Sequence, residues 1–408
     1  MKLLQTETLQ SAREKLLEFM NGKQETVIAG LMDAEGQVLS EDIISPCDIP
    51  HFRRSTVDGY AVISRDTQGA SEGIPVFLEK IEEINIGCAV KSSLINGQCA
   101  YVPTGGMIPD GADAVVMIEY CEPFDRKSIA VYESVSVGRN VVSIGEDVEK
   151  GSVILKKGTK LRPQEIGALA SAGYSSVPVF KRLKLAIIST GDELVPTDAL
   201  PGLGQVRDIN TYALRSLAQK RGFEVVSTCV LKDNEELLTS AVSEAMRKSD
   251  IVAVSGGSSQ GNKDITAKVL DALSEPGVFV HGISIKPGKP TILGYDKKGG
   301  TALMGLPGHP VAAMLIFELI AVWVKNRLTG QADEKCVYAN MKTNAASAAG
   351  KTTCLPLRLI EAENGYIAEA VLGKSGIMST LTSADGYTLI DMNKEGLRKD
   401  ELVKVWLI

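Results

Sequence analysis

Residues 183–194, LKLAIISTGDEL, and residues 251–264, IVAVSGGSSQGNKD, decide the fold. Each opens as a short apolar run of β-forming residues and breaks into a turn rich in Gly, Ser, Thr and Asp. Between them Asn210 can cap a helix carrying Leu214, Leu217 and Ala218 and ended by Gly222, and residues 223–231 are again strand-like. Asn234 can cap a second helix with Leu237, Leu238, Ala241, Val242 and Ala245. A helix from about residue 264, a strand near 278–285 and a long helix after Pro310 complete the pattern over 181–328. Strand and helix alternating at this spacing predict a parallel-type sheet covered by helices on both faces. Ligands of such sheets bind outside the carboxyl ends of the strands. Residues 190–193, 255–264 and the turn Leu306-Pro307-Gly308 all fall there.

Outward from this segment the texture changes. Thr8 precedes Leu9, Ala12, Leu16, Leu17 and Met20 on one helical face, closed by Gly22. That amphipathic helix needs a partner surface in its own chain or in a second copy. From about 45 to 137, short runs such as IPVFL (74–78), CAYV (99–102) and AVVMI (114–118) alternate with Gly, Pro, Asn and Asp, predicting a small β domain. Glycines and short strands fill 135–158, and Pro163 opens a helix. Short β runs return from about 331 to 408 and predict a second small β domain.

Composition excludes several classes. The 408 residues exceed what one hydrophobic core usually supports, so several domains are expected. A net charge of -6 and a pI near 5.4 speak against a nucleic-acid partner, which calls for a basic face. Seven cysteines, an odd number without CxxC, and only three histidines (His51, His281, His309) argue against a disulfide framework or a structural zinc. The opening MKLLQTETLQSAREKL has acidic residues and lacks a long apolar run, unlike a secretory signal. The longest apolar stretch, 310–324, contains Glu318 and is too short to span a bilayer. A cytoplasmic protein without a membrane partner is expected.

Four strings can carry chemistry. The loop Gly256, Gly257, Ser258, Ser259, Gln260, Gly261 exposes backbone N–H groups before a helix, which suits an oxyanion, although an ordinary tight βα turn has the same composition. In KPGKP (286–290), prolines and a glycine fix the backbone while Lys286 and Lys289 project, and a bound anion would offset their repulsion, although taken alone the string reads better as a solvated basic turn. In Thr190-Gly191-Asp192-Glu193, two acids at a strand's carboxyl end can hold Mg²⁺, or can simply cap a helix. Residues 50–61, PHFRRSTVDGYA, and 102–116, VPTGGMIPDGADAVV, form a pair of turn-dense strings of unusually specific composition. His309, before a helix, reads as a cap, and no Ser/His/Asp triad can be assembled. Handling of an anion with a divalent metal is the chemistry these residues favour.

Together the strings resemble the molybdopterin molybdenumtransferase family, which includes MoeA and the gephyrin E domain. STVDGYA (55–61), TGGMIPDGADAVV (104–116), GED (145–147), STGDEL (189–194), SGGSSQGNKD (255–264), KPGKP (286–290) and LPGHPV (306–311) follow the family's order over nearly the whole chain. The resemblance implies a multidomain α/β plus β fold. Residues 1–45 and 138–178 would form an elongated linker and dimerisation domain, and 46–137 an inserted small β domain. Residues 179–328 would form the α/β molybdopterin-binding domain, and 329–408 a C-terminal β domain. It further implies a homodimer whose cleft is shared between subunits, with the preceding adenylyltransferase as a candidate partner.

The implied reaction takes molybdate and adenylylated molybdopterin to molybdenum cofactor and AMP, with Mg²⁺. By the same resemblance Asp58, Thr104, Asp147, Glu193, Asp233, Asp264, Lys286 and Lys289 would be catalytic. Glu193, Asp233 and Asp264 would hold the metal. Thr190, Gly191, Asp192, Gly256, Gly257, Ser258, Ser259, Gly261, Pro307, Gly308 and Ser375 would bind substrate. Departures from the common pattern are Val57 for Met, His309 for Asn, and Gln260 and Asn262 for Val and Glu. A molybdopterin-binding scaffold or regulatory protein without transferase activity stays open as an alternative, as does a tungstate-preferring transferase. An adenylyltransferase is disfavoured because that activity is typical of a short single-domain chain.

Overall fold

The computed structural model describes residues 6–256, 265–332, 335–363 and 365–408. Its centre is a six-stranded sheet with the order Glu224–Leu231, Lys184–Thr190, Ile251–Ser255, Thr301–Leu306, Ile292–Asp296 and Pro276–His281. The first four strands run parallel and Ile292–Asp296 runs antiparallel to both of its neighbours, so the sheet is mixed rather than parallel throughout. Residues 278–285 do not form one strand either. Pro276–His281 pairs with Ile292–Asp296, whereas Ile285–Lys286 leaves to pair with Thr352 and Thr353 of the C-terminal sheet. An apolar run of this kind pairs wherever an open strand edge lies, and periodicity alone does not name that edge.

The two middle strands, Ile251–Ser255 and Thr301–Leu306, are buried at every residue, as strands covered on both faces must be. One covering layer packs Leu238, Val242, Val269 and Leu270 against Ala186, Ile188, Val252 and Val254. The other includes Leu214, Leu217, Ile316, Phe317 and Ile320. The helix Leu9–Met20 joins this second layer through Leu9, Ala12, Leu16 and Met20, so its partner surface is the α/β body of its own chain, not the linker segment. Thr8 caps it by accepting from Ser11 N–H, and Asn234 caps Glu235–Met246 by accepting from Leu237 N–H. Each such cap contributes about 1 kcal/mol.

The helix from Pro310 continues to Thr329 through a π-helical turn at Glu318–Val322. Asn210 is not the cap of its helix. It is the first helical residue of Asn210–Lys220, and Asp208 Oδ1 accepts from Thr211 N–H instead.

Two further bodies flank the centre. Antiparallel ribbons join Thr26–Gly30 to Ser176–Phe180, Ile43–Ile44 to Val153–Leu155, and Arg54–Ser55 to Val141–Val142. A six-stranded sheet built from residues 59–131 is inserted between the two arms of that ribbon. At the C-terminus, Thr352–Ala362 pairs with Gly365–Ala370 along one half and with Gly386–Ile390 along the other. Cys336–Met341 and Leu402–Leu407 complete the ring, so these five strands close into a barrel. Closure leaves few strand edges exposed. No cysteine of the seven is in a disulfide. No helix of the described residues is long and apolar enough to cross a membrane.

Candidate active site

Three turns meet outside the carboxyl ends of the parallel strands and enclose a cleft of about 790 Å³. Thr190, Gly191, Glu193, Asp233, Gly256, Pro307 and Gly308 line it, together with residues 206–210, Ser255, His309, Pro290 and Gly376. The cleft therefore lies where the α/β body meets the C-terminal barrel. Thr190, at the end of its strand, donates from Oγ1 to Asp233 Oδ1 at 2.6 Å and so fixes that carboxylate. Glu193 is held from its backbone: its carbonyl accepts from Val206 N–H at 2.9 Å as the short parallel pair Leu194–Val195 and Val206–Arg207 forms.

Asp192 is not part of the cleft lining. Its carbonyl accepts from Lys232 Nζ at 2.6 Å and its Oδ1 accepts from Asp233 N–H at 3.2 Å, so it shapes the turn.

Asn210 ties the floor together. Its Nδ2 donates to Ser255 Oγ and to Gly308 O, both at 2.7 Å, and Ser255 Oγ donates onward to Pro307 O at 3.3 Å. Asp208 Oδ2 and Asn210 Oδ1 are buried without a partner among the described residues. Buried acceptors left unpaired are costly and mark places where water, an ion or a ligand donor belongs. Sequence reading missed Asp208 as a site residue and took Asn210 only for a cap. Asp-x-Asn at the entry to a helix is also ordinary capping chemistry, so the string alone does not separate the two roles.

The other expected site residues are placed as follows. Lys286 is exposed and Lys289 half-buried, and neither has an ion-pair partner among the described residues. They do not line this cleft, although Pro290 beside them does. Asp58 and Thr104 meet in the inserted sheet, where Asp58 Oδ1 accepts from Thr104 N–H at 2.6 Å and from Thr104 Oγ1 at 2.9 Å. Asp147 is exposed on the ribbon, its N–H donating to Ile49 O. None of these three lines the cleft of its own chain. Ser375 reaches the cleft rim, 2.8 Å from His309 Nδ1. His309 occupies the cap position but makes no side-chain cap bond, because its ring turns to Ser375. Gly257, Ser258, Ser259, Gly261 and Asp264, with Gln260 and Asn262, lie outside the described residues.

Two hydrogen bonds from Thr104, backbone first, hold the Asp58 carboxyl below its ordinary range. A folded-state pKa that is depressed makes the contact fully present above the unfolded value and loses it as pH falls through the folded one. The Asp58–Thr104 link therefore persists at neutral pH and opens only on the acid side of the usual Asp range. Thr104→Val removes the hydroxyl and keeps the N–H, so Asp58 should titrate higher than in the parent and lower than a free Asp. Carbon-detected NMR of the Asp58 carboxyl checks this, and an unmoved titration curve would show that Thr104 Oγ1 contributes nothing.

Among the described residues no three His, Cys, Asp or Glu side chains gather closely enough to hold a metal ion by themselves. Glu193 and Asp233 nevertheless supply hard oxygen donors on one wall. That donor chemistry suits Mg²⁺, which binds through one or two carboxylates and completes its shell with water and substrate phosphates.

An α/β body with a strand-end cleft, closed on one side by a β barrel and carrying an inserted β body on a ribbon, defines a multidomain ligand-binding protein. Comparison with known proteins makes that class specific. Residues 7–173 match the family described as MoeA N-terminal region (domain I and II), residues 186–326 the "Probable molybdopterin binding domain", and residues 338–408 the MoeA C-terminal region (domain IV). The chain is 35% identical to the molybdopterin molybdenumtransferase of Haemophilus influenzae over 79% of this chain and 78% of that one. It is 30% identical to the molybdopterin molybdenumtransferase of Bacillus subtilis over 94% and 90%. A crystal structure of the molybdopterin biosynthesis moeA protein from Pyrococcus horikoshii superposes with a TM-score of 0.84 at 33% identity, covering 99% of this chain and 100% of that one. The chain belongs to the MoeA family, an enzyme family of molybdenum-cofactor biosynthesis.

Proposed function

We propose that this chain is a molybdopterin molybdenumtransferase, which inserts molybdate into adenylylated molybdopterin and releases molybdenum cofactor and AMP in a Mg²⁺-dependent reaction. The observation that carries this reading is the strand-end cleft, whose lining brings Glu193 and Asp233 together with Gly256, the Pro307-Gly308 turn and the helix start at Pro310. Molybdate must approach a substrate that already carries phosphates and sulfur nucleophiles, so like charges have to be neutralised. Lys286 and Lys289 would do this for phosphate or molybdate. The 256–261 loop and the Pro307-Gly308 turn would hold the pterin phosphate. Thr190 keeps Asp233 oriented, and Asn210 keeps the Ser255 and Gly308 turns in register. Mg²⁺ held by Glu193, Asp233 and Asp264 would supply positive charge against the phosphates.

The active assembly is a homodimer. Asp58, Thr104 and Asp147 lie outside the cleft of their own chain, which supports their acting at the cleft of a second copy. Such an enzyme works in the cytoplasm on the product of the preceding adenylyltransferase, and its four domains follow the boundaries given above except that the helix Leu9–Met20 belongs with the α/β body.

Molybdate-dependent AMP release from adenylylated molybdopterin, with and without Mg²⁺, tests the reading. Release requiring both is expected. Asp233→Asn should lower it about a hundredfold or more while leaving the fold intact. Pterin binding without release would favour a scaffold instead, and release supported better by tungstate would reassign the oxyanion.

A further inference from the structure

The Leu306-Pro307-Gly308-His309-Pro310 turn brings a histidine to this cleft. His309 is exposed, lines the cleft and stands at the start of the helix that opens at Pro310. Its ring is fixed from one side: Nδ1 lies 2.8 Å from Ser375 Oγ. The Cδ2–Nε2 edge passes Gly376, where an added Cβ would come within 3.6 Å of Cδ2 and 3.8 Å of Nε2. Ser375 is itself anchored, because its carbonyl accepts from Val311 N–H at 3.2 Å. Nε2 has no hydrogen-bond partner among the described residues.

Ser375 is placed to set the tautomer of this ring. A neutral imidazole has one donor and one acceptor nitrogen. Ser375 Oγ–H has no acceptor other than Nδ1 among the described residues. With the Ser375 hydroxyl as donor to Nδ1, the ring proton sits on Nε2. If the ring takes a second proton, both nitrogens donate and Ser375 accepts, so Nε2 still donates. The result is one N–H beside Gly376 in the cleft lining, at the positive end of a helix dipole. Glu193 and Asp233, elsewhere in the cleft lining, repel an anion and favour its settling near that N–H.

We propose that His309 is an oxyanion-binding residue whose Nε2–H contacts a phosphate or molybdate oxygen in the cleft, with Ser375 as the positioning residue that fixes the tautomer. The inference rests on the transferase reading only for the identity of the anion. A hydrogen bond to a charged oxygen is stronger than one between neutral groups, which makes the ring a determinant of anion affinity.

Three histidines make the ¹⁵N imidazole spectrum of the full-length protein easy to assign. His309 should show an Nε2-protonated ring. Its Nε2 signal should move when molybdate alone or inorganic phosphate alone is added, with His51 and His281 unchanged. A response to one anion only identifies which oxyanion the ring serves. Ser375→Ala should mix the two tautomers. His309→Ala should raise the KM for the anion by about tenfold and lower kcat much less, and His309→Asn, which restores an N–H donor, should recover part of the loss. An Nδ1-protonated ring overturns the proposal. So does a ring that ignores both anions while molybdate-dependent AMP release continues, in which case the transferase reading stands alone. An anion-dependent shift without any AMP release keeps the His309 site and removes the transferase.

Discussion

Gly256→Ala should abolish turnover and destabilise the α/β body by about 3–5 kcal/mol. Gly256 sits at φ +113°, a backbone conformation that side chains strongly disfavour, and an added Cβ would lie 2.0 Å from Thr190 O. Neither side can give way. Thr190 is 4% exposed, ends a strand paired on both sides, and orients Asp233, so moving it moves the carboxylate wall as well. Gly308, beside it at the end of the neighbouring strand, is the control: the nearest neighbour to an added Cβ is Gly256 Cα at 3.7 Å, an ordinary contact. Gly308→Ala should therefore stay within about 1 kcal/mol of the parent. Thermal unfolding together with AMP release measures both variants. Equal behaviour of the two alanines would refute the claim that the Gly256 turn is sterically pinned to Thr190.

The second large effect lies at the joint between the α/β body and the barrel. Arg221 meets Glu318 through two bonds, Nη2 to Oε1 at 2.7 Å and Nε to Oε2 at 2.9 Å, with side chains only 10% and 7% exposed. Arg221 Nη2 also reaches Leu407 O in the last barrel strand at 3.5 Å. Removing one partner of such a pair leaves the other charged and desolvated, so Arg221→Ala should cost about 3–5 kcal/mol. Replacing both by apolar residues of similar size, Arg221→Met with Glu318→Leu, should cost much less than the single change, because no orphan charge remains. Trp323 and Trp406, the two tryptophans of the chain, line the same hollow as Glu318. Urea unfolding followed by their fluorescence reports this joint directly. A double variant no more stable than Arg221→Ala would mean that the pair acts through its geometry and not through the burial of charge.

Much of the α/β body could be read directly from residue order. Apolar runs at 184–190 and 251–255 are too short for helices and too apolar for exposed strands, and Thr8 and Asn234 announced their helices because capping is a local interaction. The antiparallel half of the sheet was not legible. Pro276–His281 and Ile292–Asp296 carry the same β-forming residues as the parallel strands, and direction depends on which edge is open when they pair. The N-terminal helix showed its apolar stripe but not the surface that covers it.

At the site the same division holds. Sequence by itself determined that turns rich in Gly, Ser, Thr and Asp lie at strand ends, that Thr190, Gly191 and Glu193 stand in one of them, and that the order of the strings matches one family. Those are properties of neighbouring residues, set by backbone geometry and side-chain type. Only the tertiary structure decided that Asp192 bonds to Asp233 N–H outside the cleft lining, that Asn210 bridges Ser255 to Gly308, and that His309 reaches across to Ser375. Each of those contacts joins residues far apart in the chain, and a hydrogen bond forms only when packing brings donor and acceptor within about 3 Å at a suitable angle. Hydrophobic periodicity and capping strings hold no information about that meeting.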